Sequence, residues 1–178
     1  MSRVVYYTAM SLDGFVADEH DRLDWLFAQE ADPSGDLGFA EVDAGAGALI
    51  MGRRTFDWVV AELARTGDVW PHRQPCWVVT RREGAVPDGA DVRFTGGPAA
   101  EVVAAARRAA GEKLVWCVGG GETATGLAAA GVLDEVWVAV APVMLGAGSP
   151  VLSKRLDLEL LTTGRNGDLV TARFRVRT

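Results

Sequence analysis

Histidine and cysteine are scarce in this chain of 178 residues, with two of each. His20 and His72 fall in polar loops without metal-ligand spacing, which leaves no basis for a zinc centre or a Ser-His-Asp triad. Cys76 and Cys117 both sit inside apolar strand-like runs, which predicts buried free thiols and a reducing compartment. No apolar run reaches the roughly 18 residues of a membrane span, and no basic-then-apolar leader is present. A cytoplasmic protein without membrane contact is therefore expected. Lysine is also rare, since 16 of the 18 basic residues are arginine. The net charge of −6 argues against a general nucleic-acid surface.

What remains is ordinary globular composition, 49% hydrophobic and 24% charged, over a length that predicts one domain spanning residues 1–178. Strand-like segments recur at residues 3–10, 48–51, 75–80, 91–95, 113–118 and 135–142. Helical spacing fills the gaps at 36–44, 55–64, 98–110 and 123–130. Two further strands, at 158–163 and 169–177, flank Gly164-Arg-Asn-Gly167, a hairpin signal. The pattern predicts an α/β fold. Its central sheet is mixed and mostly parallel, flanked by helices and closed by a C-terminal antiparallel hairpin.

The most informative segment is Lys113-Leu-Val-Trp-Cys-Val118 running into Gly119-Gly-Gly-Glu-Thr-Ala-Thr-Gly126. Glycines at a strand-to-helix junction let a ligand approach the backbone, and the amides opening the helix attract anions. Gly119, Gly120, Gly121, Glu122 and Thr123 thus form a candidate phosphate seat. A tight turn without ligand is the competing reading. Gly119, Gly121 and Ala124 also fit a dinucleotide fingerprint, but Asp134 and Glu135 lie at the wrong end of the next strand for ribose.

Two arginine pairs also lie where strands end, in Met51-Gly-Arg-Arg-Thr55 and Thr80-Arg-Arg82. Guanidinium forks bind phosphate bidentately, so Gly52, Arg53, Arg54, Thr55, Thr80 and Arg81 join the candidates. Either pair alone also reads as solvated surface charge. At the end of the first strand, Ala9 and Ser11 are small enough to admit something flat. Asp13 precedes Gly14, and either caps its own turn or contacts substrate. Trp25 is either a core anchor or a wall for a ring, and Asp18-Glu19-His20-Asp21 reads as a solvated turn.

Five motifs in order resemble the dihydrofolate reductase-like family, in the branch holding the reductase domain of the riboflavin-biosynthesis deaminase/reductase. They are Met10-Ser-Leu-Asp-Gly14, Met51-Gly-Arg-Arg-Thr-Phe56, Thr80-Arg81, Val118-Gly-Gly-Gly-Glu-Thr123 and Ala141-Pro-Val-Met-Leu-Gly146. The resemblance covers essentially the whole chain. It implies an NADPH-dependent reductase acting on a C=N or C=O bond of a small heterocycle. A pterin, a folate or the aminopyrimidine 5-amino-6-(5-phosphoribosylamino)uracil would be such a substrate. By similarity, Ala9 and Met10 line the nicotinamide, and Gly52, Arg53, Arg54 and Thr55 hold phosphates. Thr80 and Arg81 take the 2′-phosphate, and Gly119 to Thr123 take the pyrophosphate. A cis bond between Gly119 and Gly120 and a homodimer are further implications.

The chain departs from the riboflavin branch in carrying Phe15 where a lysine is usual. It also lacks the His-x-Glu and Pro-Cys-x-x-Cys motifs of the deaminase. Asp36 and Glu41 lie near the helix that bears the substrate carboxylate in dihydrofolate reductases. Asp13 is the leading candidate for catalysis and substrate contact, with Trp25 packing beside it. The alternative function is a nucleotide-, flavin- or folate-binding protein without turnover.

Overall fold

The computed structural model describes residues 2–177, which form ten strands and five helices. The first half holds β1 (Val4–Ser11), β2 (Phe15–Ala17), α1 (Asp24–Phe27), α2 (Phe39–Gly45), β3 (Ala46–Gly52) and α3 (Arg53–Thr66). Then come β4 (Cys76–Val79), β5 (Val92–Thr95), α4 (Ala99–Ala110), β6 (Leu114–Val118) and α5 (Gly121–Ala129). The chain finishes with β7 (Glu135–Ala141), β8 (Ser149–Pro150), β9 (Leu158–Asn166) and β10 (Leu169–Val176).

Eight strands make one sheet in the order β5-β4-β3-β6-β1-β7-β10-β9. The six from β5 to β7 run parallel, and β10 and β9 add antiparallel pairing. Parallel strands are covered on both faces, which explains runs such as Val4-Val5-Tyr6-Tyr7 that are buried throughout. Residues facing one way, including Val4, Tyr6, Ile50 and Cys117, pack with Val103 of α4 and Leu127 of α5. Those facing the other, including Val5, Tyr7, Leu49 and Trp116, pack with Val42 of α2 and Phe56 of α3. Cys76 and Cys117 are buried free thiols, and burial pushes both up to about 12. No helix among the described residues is long and apolar enough to cross a membrane.

Several boundaries differ from expectation. Strand β9 runs on to Asn166, so the hairpin turn is tighter than residues 164–167 suggested. Helix α2 starts at Phe39 rather than 36, because Leu37 adopts a positive φ of 53° and donates its amide to the Glu41 carboxylate at 2.7 Å. Helix α5 begins at Gly121, two residues early, which makes the third glycine part of the helix. The short elements α1, β2 and β8 were not anticipated from sequence.

His72 also differs from the polar-loop reading, being 5% exposed. Its ring packs 5.5 Å from that of Trp70, 5.6 Å from Trp116 and 5.7 Å from Phe39, and Nδ1 lies 2.7 Å from Asp43 Oδ1. Burial holds the imidazole below its ordinary pKa, against the opposing pull of Asp43.

Candidate functional site

The carboxyl edge of the parallel sheet has a notch. Strand β6 stops at Val118, which lies level with Met51 of β3 on one side and Tyr7 of β1 on the other. Strand β1 continues four residues further, paired only to β7, from Thr8↔Val138 to Ser11↔Ala141. Thr8, Ala9 and Met10 are accordingly half-buried, whereas the residues before them and Ser11 after them are buried. The glycine turn leaving β6 sits at the head of this notch, where a doubly wound sheet collects its ligands.

Gly119 turns the chain with a φ of +88°, and a side chain there would collide with Thr55. That left-handed residue makes the reversal, and no peptide bond among the described residues is cis, which corrects the cis bond expected at Gly119–Gly120. Gly121 is required by packing, since a Cβ would lie 2.6 Å from the Pro150 carbonyl oxygen. Gly120 differs. A Cβ there meets only Thr55 Oγ1, at 3.8 Å, so the space above this residue is open. Of the three glycines, the middle one leaves open space, while its neighbours allow the turn and the helix to seat.

Two helix N-termini converge at this point. Helix α5 has Gly120 as its N-cap and α3 has Gly52, and neither N-cap supplies a side-chain cap. The amides of each first turn thus depend on solvent or ligand for partners. The helices touch: Gly120 N–H donates to Thr55 Oγ1 at 3.2 Å, and a Cβ on Gly52 would fall 2.5 Å from Thr123 Oγ1. Glu122 is exposed in the first turn of α5, where its charge suits the dipole.

The four arginines divide into two kinds. Arg53 is committed, with Nε donating to Asp57 at 2.7 Å and Nη1 to the Arg82 and Glu83 carbonyls at 3.1 Å. It clasps the segment after β4 to α3. Arg54 is paired with Asp21, donating to Oδ2 at 2.6 Å. Arg81 and Arg82 are exposed and have no ion-pair partner among the described residues. Thr80 joins the turn that presents them, its hydroxyl accepting from Arg82 N–H at 3.1 Å. The Arg81 stem lies against Gly96, as a Cβ there would meet its Cγ at 3.0 Å. Gly96 and Gly97 lead into α4, whose N-cap, Pro98, also lacks a capping side chain. The sequence reading passed over this second glycine turn, although Gly-Gly-Pro after a strand marks it.

Asp13 is held by the loop after β7. Its carboxylate accepts from Ser11 Oγ at 2.6 Å, Gly146 N–H at 2.7 Å and Leu145 N–H at 3.1 Å. The Ser11 hydroxyl leads in drawing its pKa down to about 2, helped by the two amides against partial desolvation. Asp13 is thus an ionised fastener joining the β1–β2 turn to residues 145–146.

Beyond it, Ala9 of β1 lies in register with Ala139 of β7, which is in register with Thr171 of β10. Trp25 packs on the same face as Ala9. Asp36 sits beside this row, accepting from Thr171 Oγ1 and pairing with Arg173 at 2.7 Å. Glu41 also faces Arg173, at 3.6 Å. Burial raises the Asp36 pKa, but Thr171 and Arg173 outweigh it and leave the carboxyl below its ordinary value. Met10 points to the opposite face, packed against the core that contains Tyr6 and Cys117. Two cavities lie elsewhere, about 340 Å³ beside Trp70 and Val86 and about 370 Å³ beside Val103 and Arg108. Neither includes a residue of the notch.

Known structures share this fold. A protein from Shewanella sp. PV-4, provisionally assigned to riboflavin biosynthesis, superposes with a TM-score of 0.80 at 25% identity, with complete coverage of both chains. A Thermotoga maritima deaminase/5-amino-6-(5-phosphoribosylamino)uracil reductase gives 0.69 at 15% identity, covering 99% of this chain and 57% of that one. Dihydrofolate reductase from Enterococcus faecalis, complexed with NADP(H), gives 0.61 at 14% identity, covering 99% and 97%. The fold is therefore dihydrofolate reductase-like. Residues 2–166, which contain both glycine turns and the whole notch, match the RibD C-terminal domain, and the chain belongs to that family.

Proposed function

We propose that the protein is an NADPH-dependent reductase that delivers hydride to a C=N or C=O bond of a small heterocycle. The observation that carries this reading is the meeting of two uncapped helix N-termini at Gly52 and Gly120, beside the half-exposed strand Thr8–Met10. Membership of the RibD C-terminal domain family supports it, as do the reductases that share the fold.

The residues present fit the cofactor. Gly120 leaves room for a pyrophosphate at the α5 amides, and the first turn of α3 offers a second set. Arg81 and Arg82, with the Gly96–Gly97 turn, form an uncommitted cationic corner suited to the 2′-phosphate. Ala9 and the half-buried strand Thr8–Met10 offer a flat edge for the nicotinamide, which when bound supplies the hydride. Asp13 acts by positioning, because a carboxyl titrating at about 2 and fastened by three donors holds no proton to give at neutral pH. Proton delivery then falls to water or to a substrate group.

The test is a fluorescence titration with NADPH and NADH, followed by NADPH oxidation in the presence of ring substrates. Tighter binding of NADPH and its oxidation by at least one ring support the reading. Equal affinity for both nucleotides would remove the 2′-phosphate corner. Tight NADPH binding without oxidation by any ring would favour a binding protein without turnover.

A further inference from the structure

The indole of Trp70 is 7% exposed, yet its Nε1–H has no hydrogen-bond partner among the described residues. Buried donors are nearly always satisfied, so an orphan of this kind marks a wall that something else completes. The ring packs on Phe56 at 6.1 Å and His72 at 5.5 Å. It also lines the cavity of about 340 Å³, which is at the lower end of the roughly 300–1,000 Å³ of small-molecule sites.

The walls of this cavity are built rather than loose. Val60 and Leu63 come from α3, and Val86 and Pro87 from the loop between β4 and β5. Two ties hold that loop. Arg53 grips the Arg82 and Glu83 carbonyls at 3.1 Å, and Ala90 N–H donates to the Pro87 carbonyl at 3.1 Å. Two of the lining side chains stay open to solvent, Val69 at 82% and Val86 at 44%, so the cavity can be entered.

Charge decides what can enter. Asp68 and Asp88 line the same cavity, are exposed, and have no ion-pair partner among the described residues. Lysine, arginine and histidine are absent from the lining. The cavity adjoins the carboxyl end of the 14-residue helix α3, where the helix dipole is negative. Arg65, the basic residue of that last turn, is taken by Glu62, to which its Nε donates at 2.9 Å. An anion would find no counter-charge here, whereas a cation finds two carboxylates and a helix terminus.

We infer that this cavity binds a small aromatic amine with an oxygen at its far end: the ring packs against Val60, Leu63 and Val86, the oxygen accepts from Trp70 Nε1–H, and the ammonium group faces Asp68 and Asp88. Residues of the notch take no part in it, so the site does not depend on the reductase reading.

Three probes separate these contributions. Tyramine carries both the ammonium and the phenolic oxygen, phenethylamine lacks the oxygen, and phloretate replaces the ammonium by a carboxylate. Each is titrated into the nitrogen-15-labelled protein, with the Trp70 indole signal identified by its loss in Trp70→Phe. Tyramine should move that signal together with the amides of Val69 and Val86. It should bind at least about threefold more tightly than phenethylamine, the worth of one hydrogen bond, and at least about tenfold more tightly than phloretate at low salt. Replacing Asp68 and Asp88 together by Asn should weaken tyramine at least about threefold and leave the melting temperature at the wild-type value, because both side chains are exposed and unpaired. A Trp70 indole signal that stays fixed at millimolar tyramine would overturn the inference. So would equal affinity for any two of the three probes, or for tyramine in the double variant. Light scattering covers the other occupant: a dimer that Val69→Glu turns into a monomer would make this face an interface between copies, and would overturn the inference as well.

Discussion

The amide of Gly120 donates to the hydroxyl oxygen of Thr55 at 3.2 Å, which joins the start of α5 to the first turn of α3. Each helix therefore fixes the other's orientation at the head of the notch. The same contact explains why a left-handed glycine must precede Gly120, since the chain can reach Thr55 only by turning sharply at Gly119.

The three glycines should respond differently to alanine. Gly120→Ala places a methyl in open space, so its thermal midpoint should stay within a few degrees of wild type while NADPH affinity drops. Gly121→Ala drives a methyl into the Pro150 carbonyl, and overpacking of that kind costs about 1–3 kcal/mol. Thermal melts and NADPH titrations of both variants measure the contrast. A stable Gly121→Ala protein, or a Gly120→Ala protein with unchanged NADPH affinity, would contradict it.

Arg81 and Arg53 should also separate. Arg81 has no carboxylate partner, so Arg81→Ala should weaken NADPH about 10- to 100-fold, the worth of one charge-assisted hydrogen bond, and leave NADH unchanged. Arg53 clasps the carbonyls of Arg82 and Glu83, so Arg53→Ala should lower stability and weaken both nucleotides. Affinity measurements with the two nucleotides distinguish a phosphate ligand from a clasp.

Asp13→Asn should loosen the segment after β7. The amides of Leu145 and Gly146 lose their ionised acceptor, so hydrogen exchange at these two positions should accelerate while the rest of the sheet keeps its protection. Because the folded-state pKa is depressed to about 2, this contribution is present above the unfolded carboxyl pKa and is lost as pH falls through the folded value. Unchanged exchange at Leu145 and Gly146 would remove Asp13 as the fastener.

His72 predicts a pH dependence of stability. Its folded pKa lies below the unfolded value of about 6.5, so the unfolded chain takes up the proton first. The stability that His72 provides is complete above the unfolded pKa and declines as pH falls below it. The charged and titratable neighbour is Asp43, and the remaining partners are the rings of Phe39, Trp70 and Trp116. Melting between pH 8 and pH 6 should lower the midpoint of wild type by about 2–4 °C per kcal/mol lost, and His72→Gln should flatten the curve. A steeper curve in the variant would contradict the assignment.

Much of this architecture could be read from residue order. Periodic segments such as Thr55–Leu63 and Ala99–Ala110 announce helices, and Lys113–Val118 announces a buried strand. The Asn166-Gly167 signal gave the hairpin, although Asn166 stays in the strand because its amide bonds the backbone of Asp32. Elements of two to four residues, such as β2, β8 and α1, are too short for a period and depend on contacts such as Phe15 with Pro150. The glycine turn and the arginine pairs were visible as candidates. Which glycine is open and which arginine is free are set by Thr55, Asp57, Asp21 and Pro150, distant in sequence from the groups they decide. The fastening of Asp13 to the segment after β7 lay beyond the sequence for the same reason, since Leu145 and Gly146 are more than a hundred residues away.

Backbone amide NMR during NADPH titration tests the central claim most directly. If the two uncapped helix N-termini bind the nucleotide's phosphates, the largest shifts fall on Gly120, Gly121 and Glu122 of the α5 start and on Arg53, Arg54 and Thr55 of the α3 start. Invariant amides at these positions, with shifts concentrated at the Trp70 cavity or elsewhere, would contradict it.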